Sequence, residues 1–333
     1  MVKHAYRKTY FLFPLLVFIL FLVYISLSGN KKPDEEITIA VAKQPVFALM
    51  YVADKKGFFK DEGITVKFRK YILGRDALQD VVEAKADLAT VFDIPTLNQI
   101  NKGTDLAILT TLHNSSKNHV VASLKTSGIQ TPSDLRGRRV AMTKGVSTEF
   151  FLYSFLMTEG IALSEVNTVS IEPDGLIESM ENSTIDAAVL FNPYIYNLRK
   201  KYPEDKVTFF YSDAYTEMSV LTGKRLFIDQ NQDKIRKILR ALLKAERFIK
   251  ENKDQSIRLV DESLDNYDRG GVRSTWDIFD FSLTLNNKLL VMMEREARFF
   301  TNTGIYKADP PYLRKYILTD YLKEVKPDGV TIY

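Results

Sequence analysis

VAMTKGVSTEFFLYSFLMTEG, residues 140–160, contains a strand, a tight loop and the start of a helix in direct succession. The β-prone residues Arg139–Met142 predict the strand, and residues 144–149 predict the loop. Phe151 and Phe155 follow at a spacing that places both on one face of a helix. The class of fold follows from this strand–loop–helix unit and from its repetition along the chain.

The loop before this helix carries residues that suit an anionic or strongly polar ligand. Ser147 and Thr148 are preferred helix caps, and a capped helix still leaves other first-turn N–H groups without partners. These donors, the two hydroxyls, the positive end of the helix dipole and Lys144 together predict an anion site. An ordinary capped helix without a ligand fits the same residues.

Strands alternate with helices on both sides of this unit. Residues 37–112 contain four strand patterns separated by helical ones, and the alternation restarts at His119 and continues to Phe191. This α/β alternation predicts mostly parallel sheets that are covered by helices on both faces. After an extended segment at 219–222, the remainder is predicted to be mainly helical.

Four loops are candidates for a binding site. In open parallel sheets, ligands collect at the loops that leave the carboxyl ends of the strands. These loops are 43–47, 92–95, 144–149 and 192–194. Because they come from two α/β blocks, we expect them to converge on one cleft between two lobes.

The first 29 residues have the pattern of an export signal. Lys3, Arg7 and Lys8 precede an apolar run at 10–25, and small residues at 26–28 end it. The apolar run is at the short end of what spans a bilayer, so a cleaved leader and a retained membrane anchor both fit. The chain is therefore expected to be exported, and its lack of cysteine excludes attachment as a bacterial lipoprotein.

Composition excludes several classes of function. The 333 residues include 46 basic and 42 acidic side chains, and without the three basic residues of the N-terminus the balance is 43 to 42, which leaves no field for nucleic acid. With no cysteine there is no disulfide, thiolate metal site or cysteine nucleophile. His113 and His119 are not clustered with other ligands, so we expect no metal site and no cofactor.

Several motifs follow one another in a recognisable order. They are YVADKKGFFKDEGITV at 51–66, ADLA at 86–89, SDLRGRRVA at 133–141, GVST at 145–148, IDAAV at 185–189 and NPY at 192–194. This order resembles the solute-binding proteins of the nitrate, sulfonate, taurine and thiamine-pyrimidine-precursor group. The likeness spans about residues 37–333.

The resemblance implies an α/β, bilobal type II periplasmic-binding fold that closes on a small solute in a central cleft, with a helical C-terminal part. Lobe one would comprise residues 37–118 and 221–333, and lobe two residues 119–220. The partners it implies are a small-molecule solute and the membrane subunits of an ABC importer, in the periplasm or at the outer face of the cytoplasmic membrane.

The resemblance also implies a set of ligand-binding residues. Position by position, these residues are Gln44, Phe47, Asp93, Gly145, Ser147, Thr148, Asn192 and Tyr194. Asp93 departs from a simple sulfonate or nitrate binder, because a carboxylate disfavours an anion and suits an amine, a zwitterion or a nitrogen heterocycle. Asp93 also fits the role of a helix cap, and Phe47 and Tyr194 also fit the core.

Three functions are compatible with the sequence. The first is a non-enzymatic solute receptor of an ABC importer that takes up a small polar or aromatic compound containing nitrogen or sulfur. The second is a membrane-tethered sensor or partner-binding protein of the same fold. The third is an enzyme similar to the thiamine-pyrimidine synthases, which is disfavoured because the chain has no cysteine for the cysteine-rich motif of those enzymes.

Overall fold

The computed structural model describes residues 35–264, 270–309 and 311–332. The predicted leader or anchor at residues 1–29 lies outside the described residues. All described residues except Glu35 belong to one unit, Glu36–Tyr333. Within the described ranges, no helix combines the length and the hydropathy that a membrane crossing requires.

The strands form two sheets of five. They are β1 (Glu35–Ala42), β2 (Ile64–Tyr71), β3 (Leu88–Phe92), β4 (Leu106–Ser115), β5 (His119–Leu124), β6 (Arg139–Met142), β7 (Asn167–Ser170), β8 (Ala187–Phe191), β9 (Val207–Phe210) and β10 (Glu217–Lys224). The first sheet has the order β2-β1-β3-β10-β4, and the second has the order β7-β6-β8-β5-β9.

The helices separate and follow these strands. They are α1 (Ala48–Lys55), α2 (Phe58–Asp61), α3 (Gly74–Val82), α4 (Asp93–Asn101), α5 (Ser147–Thr158), α6 (Leu176–Glu181), α7 (Tyr194–Lys201), α8 (Arg225–Gln230), α9 (Gln232–Glu251), α10 (Lys253–Ser263), α11 (Gly271–Thr275), α12 (Asn287–Asn302) and α13 (Thr319–Val325). Short 3-10 turns connect several of them.

Each sheet contains an antiparallel strand that the chain adds directly after it passes between the sheets. In the second sheet β6 runs parallel to β7 and β8, whereas β5 runs antiparallel to β8 and β9. In the first sheet β1 runs parallel to β3, whereas β10 runs antiparallel to β3 and β4. The prediction of mostly parallel sheets therefore needs a correction, because both sheets are mixed.

The chain passes between the sheets through two short connections, which we call the two crossings: residues 116–118, between β4 and β5, and residues 211–216, between β9 and β10. β10 begins at Glu217 and pairs along its length in the first sheet. The expected boundary after residue 220 falls inside this strand.

Burial explains why the central strands are so apolar. All five residues of β3, LATVF, and all five of β8, AAVLF, are buried, as expected for strands covered on both faces. The amphipathic helix α9 buries Ile235, Leu239 and Leu242, while its charged residues other than Glu246 are exposed or half-buried. A separate apolar cluster that includes Val120, Leu190 and Leu198 lies under the second sheet.

Some local predictions were wrong or incomplete. Gly74 and Arg75, which were expected to precede α3, are its first two residues. The 192–194 loop ends earlier than expected, because Tyr194 is the first residue of α7. Neither α7 nor β9 was predicted as an element, since both are short and lack a clear apolar period.

Candidate functional site

The loop between β6 and α5 presents free hydrogen-bond donors. The N-cap of α5 is Val146, not Ser147 or Thr148 as predicted, and no side chain caps this end of the helix. The amide of Glu149 donates to the Val146 carbonyl, 3.0 Å away. Among the described residues, the amides of Ser147 and Thr148 and the Ser147 hydroxyl have no hydrogen-bond partner. These three donors lie at the positive end of a 12-residue helix.

The Thr148 side chain has a structural role, unlike that of Ser147. Its hydroxyl donates to the Thr143 carbonyl at 2.9 Å and accepts from the Thr143 amide at 3.1 Å. The side chain therefore fixes the end of β6 against the first turn of α5. Its amide, and not its hydroxyl, is the group available to a ligand.

A cleft lies between the two sheets at this helix end, and the space between its walls, with its open mouth included, is about 330 Å³. The lining residues come from both sheets and from the first crossing: Gln44, Leu73, Gly74, Arg75, Phe92, Pro95, Asn118, His119, Val146, Ser147, Thr148, Phe191 and Glu217. Of the predicted site residues, the cleft brings together Gln44, Ser147 and Thr148.

Two buried acceptors line the cleft on the side of the first sheet. The Gln44 amide donates from Nε2 to the Ile72 carbonyl at 3.2 Å, and its Oε1 has no partner among the described residues. Glu217 Oε2 likewise has no hydrogen-bond partner among them. Both side chains are at least 97% buried. A buried acceptor without a donor is costly, so both oxygens are natural contacts for a donor on a ligand.

Glu217 is the centre of a polar cluster at the crossings. Its Oε1 accepts from Asn118 Nδ2 at 2.7 Å and lies 3.2 Å from His113 Nε2. Its Oε2 lies 3.4 Å from His119 Nδ1. Burial raises the pKa of Glu217 to about 7, although His119 and Asn118 oppose this shift. The carboxyl therefore titrates at a higher pH than an exposed glutamate does.

The two histidines of this cluster are neutral. Burial lowers the pKa of His113 to about 3 and also lowers the pKa of His119. The His113 ring is 2.5 Å from the Ser219 hydroxyl, and the His119 ring stacks on Phe151 at 5.3 Å between centroids. Within the described ranges, no group of three His, Asp or Glu side chains is arranged to hold a metal ion.

Aromatic residues form the apolar part of the cleft, although not the ones that the sequence analysis named. Phe92 and Phe191 line it. Phe47 is fully buried behind Phe92, with 5.7 Å between ring centroids. Tyr194 packs on Phe191 at 5.1 Å and donates its hydroxyl to Asp174 at 2.6 Å. The structure thus places both Phe47 and Tyr194 one residue layer away from the cleft.

Asp93 is fully buried and is not among the residues that line the cleft. Its carboxyl accepts from the Tyr215 hydroxyl at 2.7 Å, the Met218 amide at 3.0 Å and the Ile94 amide at 2.8 Å. Burial raises the pKa of Asp93 to about 7. These bonds connect the start of α4 to the second crossing and to β10, which is a structural task. Glu296 lies beside it, and burial and then the Asp93 charge raise the pKa of Glu296 well above its usual range.

Gly145 and Asn192 lie at the edges of the site. Gly145 has a φ of 77°, in the left-handed region that favours glycine, and its amide donates to Glu149 at 2.8 Å. Asn192 donates from its amide and its Nδ2 to Asn118 Oδ1, at 3.3 and 3.2 Å. Asn192 therefore positions Asn118, which lines the cleft.

The side of the first sheet also holds this loop from outside the cleft. Arg75 donates from Nη1 to the Lys144 carbonyl at 3.0 Å and from Nη2 to both carboxylate oxygens of Glu172, at 3.1 and 3.2 Å. Asn98 donates from Nδ2 to the Gly145 carbonyl at 3.2 Å. Arg75 and Pro95 also border a second, outer groove of about 1010 Å³, so they form a wall between the two spaces.

The sequence analysis did not name most of the polar lining. Arg75, Asn118, His119 and Glu217 reach the cleft because they lie at the start of α3 or at the two crossings. The sequence signal that could have identified these residues is a polar side chain at a position where the chain leaves or re-enters a sheet. The aromatic lining was closer to the predictions, since Phe92 is the first residue of the candidate loop 92–95 and Phe191 directly precedes the candidate loop 192–194.

Comparison with known proteins agrees with this architecture. A family model described as NMT1/THI5 like matches residues 44–256, which is more than half of the chain. A Bacillus subtilis (strain 168) protein named "Putative aliphatic sulfonates-binding protein" is 26% identical over 247 residues, covering 72% of this chain and 72% of that protein. The taurine-binding periplasmic protein of Escherichia coli (strain K12) is 23% identical over 164 residues, covering 49% of this chain and 50% of that protein.

A solved structure shows the same fold. The periplasmic aliphatic sulphonate binding protein SsuA from Escherichia coli superimposes with a TM-score of 0.74 at 18% identity, covering 87% of this chain and 98% of that chain. The expected periplasmic-binding fold is confirmed by this match.

Proposed function

Because this chain belongs to the NMT1/THI5-like family, we propose that it is the extracytoplasmic solute-binding protein of an ABC importer. It would be exported to the periplasm or to the outer face of the cytoplasmic membrane, with residues 1–29 as a leader or as an anchor. Its partners would be a small solute and the membrane subunits of the importer. The sulfonate- and taurine-binding names of its relatives support this proposal.

The solute we propose is a small sulfonate. The observation that carries this proposal is a set of three donors that have no partner in the part of the chain that the structure describes. They are the Ser147 and Thr148 amides and the Ser147 hydroxyl, and they lie in a cleft between two sheets. A sulfonate has three acceptor oxygens and one negative charge, so it matches the number of donors and the positive end of α5. Phe92 and Phe191 would pack against the carbon chain.

The far end of the solute would carry a hydrogen-bond donor. Gln44 Oε1 and Glu217 Oε2 are acceptors without partners in the described part of the chain, and both side chains line the cleft. An amine would satisfy both acceptors and would favour the ionised form of Glu217. We therefore propose an amino sulfonate in preference to a simple alkanesulfonate.

Binding would proceed by closure of two lobes about the two crossings. We assign residues 37–118 and the chain from β10 onward to lobe one, and the second sheet with its helices to lobe two. The cleft is lined from both sides, so a solute would contact both lobes only when they are close. Closure would then be the form that the importer recognises.

The proposal includes the absence of enzymatic activity. Ser219, His113 and Glu217 form a chain of contacts that resembles a Ser-His-acid triad, with 2.5 Å from Ser219 Oγ to His113 Nδ1 and 3.2 Å from His113 Nε2 to Glu217. Ser219 is fully buried and does not line the cleft, so its hydroxyl cannot reach a substrate. The pKa of His113, about 3, also makes it a poor general base at neutral pH.

Isothermal titration calorimetry of the detergent-solubilised full chain tests the proposal. Taurine and short alkanesulfonates are titrated into the wild-type protein and into Ser147→Ala. Loss of one hydroxyl donor is expected to weaken sulfonate binding by about 1 to 3 kcal/mol, roughly 5- to 150-fold in Kd.

Ser154→Ala is the matched control, because Ser154 is buried on the same helix and does not line the cleft. It is expected to leave Kd unchanged. Failure of the wild-type protein to bind any sulfonate would overturn the proposed solute class. Equal binding by wild type and Ser147→Ala would overturn the assignment of the anion site.

A further inference from the structure

Two carbonyls of the loop before α5, those of Lys144 and Gly145, accept hydrogen bonds from side chains on the first-sheet side of the cleft. Arg75, at the start of α3, donates to the Lys144 carbonyl at 3.0 Å. Asn98, near the end of α4, donates to the Gly145 carbonyl at 3.2 Å. Both helices pack on the first sheet, whereas the loop follows β6 of the second. These bonds therefore exist only when the two sides of the cleft are close.

Each of the two side chains is itself oriented by a further partner. The Tyr306 hydroxyl donates to Asn98 Oδ1 at 2.7 Å, which leaves the Asn98 Nδ2 group to face Gly145. Arg75 is oriented by Glu172, whose two carboxylate oxygens accept from Arg75 Nη2 at 3.1 and 3.2 Å. Tyr306 is buried, so its hydroxyl holds the Asn98 side-chain amide in one orientation.

The geometry of the peptide bond links these contacts to the orientation of the N–H groups at the cleft. In a trans peptide the C=O and N–H bonds point in opposite directions. A Gly145 carbonyl that faces Asn98 turns the Val146 N–H away from Asn98, and Val146 lines the cleft. Similarly, a Lys144 carbonyl that faces Arg75 turns the Gly145 N–H toward Glu149, which accepts it at 2.8 Å.

We propose that Asn98 and Arg75 are positioning residues for the anion site: by binding the Gly145 and Lys144 carbonyls across the cleft, they fix the peptide planes from which α5 starts. This inference rests on the proposed function, since it assigns a role in solute retention to the site described there. Closure would then do more than cover the solute, because it would also complete the geometry of the donors.

Asn98 gives the sharper test of the two. The Arg75–Glu172 pair is largely exposed, with 35% and 64% of the side chains accessible, and exposed ion pairs contribute little. The Asn98 bond is a single neutral contact between the sides of the cleft. Asn98→Leu keeps the size of the side chain and removes only the donor and acceptor.

Stopped-flow measurement of solute binding to the full chain separates positioning from a general structural effect. We expect Asn98→Leu to raise the dissociation rate of taurine about 5- to 10-fold with the association rate unchanged, because the bond forms only after closure. Gln99→Leu is the matched control: Gln99 is the next residue on α4, and it contacts Gln79 and Thr104 on its own side. It is expected to change neither rate.

Hydrogen exchange of the ligand-free proteins provides a readout that needs no solute. Amides of residues 143–149 are expected to exchange faster in Asn98→Leu and in Arg75→Met than in wild type. They should be unchanged in Gln99→Leu and in Arg236→Met, which breaks a bidentate pair with Glu324 far from the loop. Equal exchange in all five proteins would overturn the positioning role.

The two failures are distinguishable. A wild-type protein that binds no sulfonate, with faster exchange in Asn98→Leu, would overturn the proposed solute and retain the cross-cleft restraint. A wild-type protein that binds taurine, with the same dissociation rate in Asn98→Leu, would overturn the restraint and retain the proposed solute.

Discussion

Glu217→Gln is expected to remove a large part of the pH dependence of stability. Burial raises the pKa of Glu217 from 4.5 to about 7, so the folded protein keeps a proton that the unfolded chain has already released. A shift of about 2.5 pKa units corresponds to about 3 kcal/mol. This contribution is fully present below pH 4.5, the unfolded pKa, and is lost as the pH rises through about 7.

The neighbours of Glu217 determine how cleanly this effect is isolated. His113 and His119 face its two oxygens. Because the Glu217 charge opposes the lowering of the His119 pKa by burial, the substitution lowers the pKa of His119 further and destabilises the variant at low pH, which adds to the expected effect with the same sign. The titration of Asp93 cancels only in part when the two proteins are compared. Because the Glu217 charge contributes to raising the pKa of Asp93, the substitution lowers the pKa of Asp93 slightly and adds to the expected effect with the same sign.

Urea unfolding of wild type and Glu217→Gln at pH 5 and pH 8 measures this effect. Between these values the wild-type protein should lose about 2 to 3 kcal/mol of unfolding free energy relative to the variant. A difference between the two proteins that is the same at both pH values would refute the reasoning, since it would mean that Glu217 titrates equally in the folded and unfolded states.

Glu62→Gln provides a control of opposite sign. Burial raises the pKa of Glu62, but its ion pairs with Lys244 and Arg240, both at 2.6 Å, outweigh burial and lower it. Its contribution is present above pH 4.5 and is lost as the pH falls through the lowered value. The wild-type protein should therefore gain stability relative to Glu62→Gln as the pH rises from 3 to 6 in the same assay.

Two further predictions concern packing and solute choice. Gly223→Ala is expected to destabilise the fold by about 1 to 3 kcal/mol in urea unfolding. The reason is that a Cβ at this position would lie 2.6 Å from Leu88 Cδ2 and 2.9 Å from the Asp87 carbonyl oxygen. Gly175→Ala should reduce the free energy of unfolding less, because its Cβ would lie 3.2 Å from Ile171 Cγ2. Taurine affinity, measured by calorimetry, is expected to rise about tenfold from pH 6 to pH 8 as Glu217 ionises, whereas ethanesulfonate, which has no amine, should show no such rise.

The class of fold was predictable because its signals are local. The alternation of strands and helices and the order of the motifs predicted an α/β protein of the solute-binding group, and both predictions are confirmed by the family model and the fold match. The loop before α5 was also predictable, since a strand followed by Gly145-Val146-Ser147-Thr148 is readable within one stretch. The N-cap of α5 was not predictable from residue type, because the backbone conformation makes Val146 the N-cap and the Thr148 hydroxyl binds the Thr143 carbonyl instead.

The remaining part of the site depends on contacts distant in sequence. Glu217 reaches the cleft because β10 returns to the first sheet between β3 and β4, and no local pattern shows where a returning strand will pair. Asp93 shows the converse. Its carboxyl is occupied by Tyr215 and Met218, more than a hundred residues away in sequence, so a residue that looked suited to a ligand is used inside the fold.

The wall formed by Arg75 and Pro95 implies a limit on solute length. A solute that extends from the cleft past these two residues into the outer groove would have to displace the guanidinium group that binds the Lys144 carbonyl. Longer solutes would therefore lose part of the closed form that holds them. The protein would therefore select solutes by length. An importer that recognises only the fully closed form would take up short solutes and would not take up longer ones, even though the longer ones still bind.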